Sequence, residues 1–269
     1  MVDYSRNTSG TLSKFSLFAT WPRIPLVPFA AYSLLGRLRK RHPERRLIQF
    51  SSIVGQKLFP ARSPYIWNSA AIGARTDASI CDHTVAWLWW YLTTRHPRIV
   101  VEFGTGYSTV VLGSFAQRQS ESSGHRTFIL SAEHDPEWHA LQSVHLRDFI
   151  DAGLIQLPLV SLETQSRFGR QATGYSRIDS LVAGLSSDGK ADLVFVDGPQ
   201  AVQHGGVGRE GTILQAIALV RPGGLILVHD ALRLEEFSVI SRFQSDPELG
   251  LRCKGIVPLW YGLAVCEKQ

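Results

Sequence analysis

From Ile99 onward the chain alternates between two hydrophobic patterns. Short runs rich in β-branched and aromatic residues are separated by longer stretches with helical spacing, and Gly, Pro and Asp punctuate the joins. The runs are Ile99–Phe103, Thr127–Ala132, Leu154–Leu162, Ala191–Val196, Leu225–Val228, Leu251–Val257 and Trp260–Cys266, and each reads as a strand. Helices are expected from Ser108, from Pro136 to about Asp151 with Asp135 as N-cap and Gly153 beyond the end, over Ile178–Leu185, ahead of Val220, and over Glu235–Phe243. A further helix, Ala78–Thr94, carries Trp87, Trp89, Trp90 and Tyr91 at positions that cannot all face one way, so it should be buried on more than one side. Residues 163–176 read as a loop. Strands alternating with helices define an α/β fold, a doubly wound, seven-stranded, mostly parallel sheet that binds ligands at its carboxyl edge.

The pattern stops short of the first 76 residues. We divide the chain into an N-terminal helical arm or lid, 1–76, and the α/β domain, 77–269. The arm's apolar run Ile24–Leu35 is shorter than the roughly 20 residues needed to cross a bilayer, and Pro25 and Pro28 interrupt it. Charge singles out the same region. The chain has 28 Lys and Arg against 23 Asp and Glu, and the segment 37–46 alone holds six bases and one acid. The remaining 22 and 22 cancel, so the excess belongs to one segment and not to a broad nucleic-acid face. That segment is either the solvated face of the arm, the favoured reading, or a peripheral contact with an anionic membrane. Cys81, Cys253 and Cys266 lack metal or redox spacing, and no apolar leader follows a basic start, so a reducing, cytoplasmic setting is expected.

Candidate chemistry collects at the strand exits. Ile99–Leu112 reads I-V-V-E-F-G-T-G-Y-S-T-V-V-L, a strand, a glycine turn and a helix start. Gly104 and Gly106 allow a sharp bend and close approach of a ligand, while Glu102 before the turn would repel a pyrophosphate and attract a cation. Glu133 closes the second strand, Asp197 the fourth, and His229-Asp230 the fifth. Each acid alone could be a strand end or a cap. Four of them on one sheet edge point to a site.

V-E-F-G-T-G-Y-S-T, S-A-E-H-D-P-E-W, A-D-L-V-F-V-D-G-P and L-V-R-P-G-G-L-I-L-V-H-D-A follow one another as in the class I S-adenosylmethionine (SAM)-dependent methyltransferases, and the chain resembles their small-molecule branch over about residues 80–266. The resemblance implies SAM as cofactor, with Glu102, Gly104, Thr105, Gly106, Tyr107 and Ser108 at its amino-acid end. It puts Glu133 at the ribose and His134 beside the adenine, with Asp197 and Gly198 facing the sulfonium and the substrate. It implies methyl transfer to an oxygen or nitrogen of a small molecule. The candidate catalytic residues are His229, as base or orienting group, with Asp230 or Asp197 nearby, and His204 in the glycine-rich loop is the runner-up. Catechol-type relatives hold magnesium. Asp197 and Asp230 match two of those ligands, but His229 stands where the neighbour pattern differs, so a divalent metal is left open. Arg209 and Arg233 could hold an acidic substrate or simply pair with acids of the helices, the favoured reading for Arg233. Tyr65, Trp67 and Asn68 could line its pocket.

Two other classes compete. An NAD-dependent oxidoreductase is disfavoured by Glu102 and by Thr109, which replaces the third glycine of the dinucleotide motif. A non-enzymatic RNA- or membrane-binding module would use the basic arm. A nucleic-acid acceptor is disfavoured by the neutral charge outside that arm, and a homo-oligomer is left open.

Overall fold

The computed structural model describes residues 80–199, 209–257 and 261–269. The arm, Tyr65, Trp67, Asn68 and His204 therefore lie outside the described residues. Helix α1 (Asp82–Arg95) leads into β1 (Ile99–Phe103), followed by α2 (Tyr107–Ser123) and β2 (Phe128–Ala132). Helices α3 (Pro136–His145) and α4 (Arg147–Asp151) precede β3 (Ile155–Gln156). Next come β4 (Leu162–Arg167), β5 (Arg170–Tyr175), α5 (Ile178–Ala183) and β6 (Ala191–Val196). The chain ends with α6 (Glu210–Leu219), β7 (Val220–His229), α7 (Leu234–Gln244), β8 (Leu251–Val257) and β9 (Leu263–Lys268).

Seven strands form one sheet in the order β3-β2-β1-β6-β7-β9-β8, with β9 antiparallel to both its neighbours. The strand order reverses between β1 and β6, which opens a crevice at their carboxyl ends. The alternation of side chains builds two cores. Val101, Phe103, Val194, Val196, Ile226 and Val228 face the layer of α5, α6 and α7. Val100, Leu193, Phe195, Leu225 and Leu227 face α1 and α2. Both faces are covered, which is why these strands read as nearly continuous hydrophobic runs. Trp87, Trp89 and Tyr91 are all buried, as their crowding on α1 requires. No described helix is long and apolar enough to cross a membrane.

Several boundaries move. The third strand pairs with β2 over only Ile155–Gln156 and touches it again at Leu159, because Pro158 has no N–H to continue the ladder. The helix expected to run to Asp151 breaks at Leu146, and the break places both Leu146 and Phe149 in the core. The fifth strand extends back to Val220, with Arg221–Gly224 taken up in a register shift against β6. Residues 163–176 are not a loop. They form the hairpin β4–β5, in which Arg167 pairs with Arg170 across a two-residue Phe168-Gly169 turn where both residues have positive φ. The register of β8 and β9 also sets Cys253 opposite Cys266, both free thiols.

Candidate active site

The glycine turn is held from below by Glu102. This carboxylate is fully buried on β1, and its Oε2 accepts hydrogen bonds from Thr109 Oγ1 at 2.6 Å and Ser131 Oγ at 2.5 Å. Thr109 Oγ1 in turn accepts from the Gly106 amide at 2.9 Å, so the residue in the place of a third glycine ties the turn to the acid. Burial pushes the Glu102 carboxyl up to about 7, against the hydroxyls of Ser108, Ser131 and Thr109 that favour its charged form. Gly104 has φ +88°, and a Cβ there would lie 3.0 Å from the Gly198 amide nitrogen, so the exits of β1 and β6 meet backbone to backbone. Gly106 differs, since a Cβ on it would meet nothing within 4 Å. The Tyr107 ring packs into the α1–α2 core, and Ser108 is buried.

At the β2 exit, Glu133 is buried and its carboxylate is pinned by three amides, those of Thr105 at 3.1 Å, His134 at 2.7 Å and Asp135 at 2.9 Å. Burial works to raise its pKa, but the His134 side chain and these amides outweigh it and hold the carboxyl below its ordinary value. The Trp138 indole donates to the Thr105 carbonyl at 2.6 Å, which fastens α3 to the turn. Beside these groups stands a residue of the segment expected to be a loop. Tyr175, at the end of β5, stacks on Phe103 with centroids 5.4 Å apart and meets His134 edge-on. Its hydroxyl is buried and finds no hydrogen-bond partner among the described residues. The only local signal was Gly169, and Phe168 before it is a poor residue for a left-handed turn.

The β6 and β7 exits bring Asp197, His229 and Asp230 together. His229 Nδ1 lies 2.8 Å from Asp197 Oδ1 and 3.5 Å from Asp230 Oδ1. A nitrogen facing carboxylates carries its proton, so Nδ1–H donates and Nε2 is left with its lone pair. Burial pulls the imidazole pKa down, yet Asp197 and Asp230 outweigh it and hold the pKa above its ordinary value. Arg209 is turned into the protein. It is buried, and its guanidinium donates to the His229 carbonyl, to the Asp197 carbonyl at 2.9 Å, to Asp197 Oδ1 at 3.2 Å and to Asp230 Oδ2 at 3.3 Å. Arg233 also turns inward, 2.9 Å from Asp230 Oδ2.

A seven-stranded sheet with one reversed strand, a glycine turn at the switch point and acids on four strand exits define a Rossmann-like methyltransferase fold. Residues 101–231 match the family of methyltransferase domains. That stretch is just under half of the chain and carries a methyltransferase domain, which makes the protein a SAM-dependent methyltransferase. No curated protein matches it. Among solved structures it is similar to the O-methyltransferase from Bacillus cereus in complex with SAH, at 15% identity and a TM-score of 0.55 over 82% of this chain and 100% of that one. It is also similar to the O-methyltransferase TomG from Streptomyces achromogenes, involved in tomaymycin synthesis and solved with SAM. There the identity is 15% and the TM-score 0.53, over 82% of this chain and 98% of that one.

The residues present fit SAM as cofactor. Space stands open at Gly106, and Glu102 Oε1 is a buried acceptor without a hydrogen-bond partner among the described residues, the kind of atom an ammonium would satisfy.

Proposed function

We propose that this enzyme methylates an oxygen or nitrogen of a small-molecule acceptor, with His229 as the general base. The observation that carries the reading is the 2.8 Å pairing of His229 Nδ1 with Asp197, which leaves Nε2 as the proton acceptor at the β7 exit. In this reading Glu102 and the Gly104–Ser108 turn hold the amino-acid end of SAM, Glu133 accepts from the ribose hydroxyls, and His134 borders the adenine. Asp197 and Gly198 face the reacting groups. When bound, SAM supplies a methyl group made electrophilic by a positively charged sulfur.

The protein's share of the work is alignment and proton removal. His229 Nε2 takes the proton from the acceptor's O–H or N–H, which leaves that atom the electron pair with which it would accept the methyl group. Asp197 keeps the imidazole in the tautomer that can do this and stabilises the imidazolium that results. Asp230 adds charge stabilisation. Both solved neighbours described above are O-methyltransferases, so a hydroxyl acceptor is the first to test.

The test separates chemistry from binding. Transfer of labelled methyl from SAM is followed over a panel of phenols, catechols and amines for the wild type and for His229→Ala, and SAM affinity is measured by calorimetry. Turnover should fall by roughly 10²–10⁴-fold, the usual share of a general base, while SAM affinity stays within about threefold. Undiminished turnover would remove His229 from the mechanism.

A further inference from the structure

Asp197, His229 and Asp230 offer ligand atoms that all lie within 4.8 Å of one another, close enough to hold a metal ion. Acids at these two strand exits are what suggested a divalent metal from the sequence. The space between them, however, already contains a cation. One nitrogen of Arg209, Nη2, sits 3.2 Å from Asp197 Oδ1 and 3.3 Å from Asp230 Oδ2, and the guanidinium is almost wholly removed from solvent. The same two oxygens are engaged again, Asp197 Oδ1 by His229 Nδ1 at 2.8 Å and Asp230 Oδ2 by Arg233 at 2.9 Å.

Charge and geometry agree. Asp197 and Asp230 face two guanidiniums, with a third buried acid, Glu236, acting on Arg209 beside them, and a divalent ion would add two positive charges next to a buried cation. The third ligand is an imidazole, which suits a hard, oxygen-seeking ion poorly. Arg209 is also fixed in place. It donates to the carbonyls of Asp197 and His229, bonds that a mobile surface arginine would not make. The residues therefore do not fit a magnesium site.

We propose that Arg209 is the resident cation of the Asp197–Asp230 pair, that it keeps divalent metal out, and that neutralising it opens a metal site. The proposal borrows the reading of this pair as the reaction centre only for its catalytic meaning, and its test requires no methyl acceptor. Mn²⁺, a stand-in for magnesium with similar oxygen preference, is titrated into purified full-length protein and free ion is counted by electron paramagnetic resonance. The wild type should bind no Mn²⁺ that Asp230→Asn removes. Arg209→Ala, or Arg209→Gln if the smaller residue disturbs folding, should bind one Mn²⁺ per chain at least tenfold more tightly than the wild type does, and adding Asp230→Asn should abolish that gain. A wild-type site lost in Asp230→Asn would overturn the proposal. So would a folded Arg209 variant that binds metal no better than the wild type.

Discussion

His229 is placed under opposed demands. Burial favours its neutral form, while Asp197 at 2.8 Å and Asp230 at 3.5 Å favour the charged one, and the acids prevail. A general base must be neutral to act, so kcat/KM should rise with pH along a limb centred above the ordinary histidine value of about 6.5. A limb centred lower would show that the two carboxylates do not hold the imidazolium. The same raised pKa contributes stability that is full below about 6.5 and is lost as pH climbs through the folded-state value. Glu102 works in the other direction. Its carboxyl is pushed up from 4.5 to about 7, so the fold prefers it protonated. Its contribution is most favourable below 4.5, and about 3 kcal/mol is lost as pH rises from there to about 7. Glu102→Gln should therefore melt higher than the wild type at pH 8 and lose that advantage near pH 5, while binding SAM at least tenfold more weakly. Thermal melts at the two pH values, with calorimetry, check it; parallel melts would mean that Glu102 is not the group responsible.

At the scale of elements, the first turn of α6 joins the parts of the site. Arg209 precedes it and reaches the exits of β6 and β7, and Thr212 Oγ1 donates to the Gly198 carbonyl at 3.0 Å. Gln215 brackets Tyr175, accepting from its amide at 2.8 Å and donating to its carbonyl at 2.6 Å. This helix lies so close to the β4–β5 hairpin that a Cβ on Gly211 would fall 1.8 Å from the Thr173 carbonyl oxygen. Gly211→Ala should push the hairpin away and cost about 3 kcal/mol, roughly 6–12 °C in Tm for a domain of this size. Because Tyr175 moves with the hairpin, SAM affinity should fall as well. A melt within about 2 °C of the wild type would show that hairpin and helix separate freely. The hairpin was illegible in the sequence for a physical reason. Its strands alternate polar residues on both faces, Phe168 is a poor choice for a left-handed turn, and its stability comes from α6 rather than from its own pattern.

Across the whole molecule, the sequence alone determined the class of fold and the strand exits at which chemistry would gather. Runs such as Ile99–Phe103 and Ala191–Val196 are buried on both faces, and that condition writes itself into composition with no knowledge of neighbours. Gly104, Glu133, Asp197 and His229 could be placed at the carboxyl edge for the same reason, since each follows directly on such a run. What the tertiary structure decided is how those groups are connected. Glu102 faces serine and threonine hydroxyls beneath the turn because Thr109 and Ser131 come to it from α2 and β2. Arg209 lies between Asp197 and Asp230 because α6 docks across two strand exits, and Tyr175 reaches Phe103 through a hairpin held by that same helix. Local pattern records whether a residue is inside or outside. Which partner it finds there depends on contacts between segments far apart in the chain, and no window of sequence contains them.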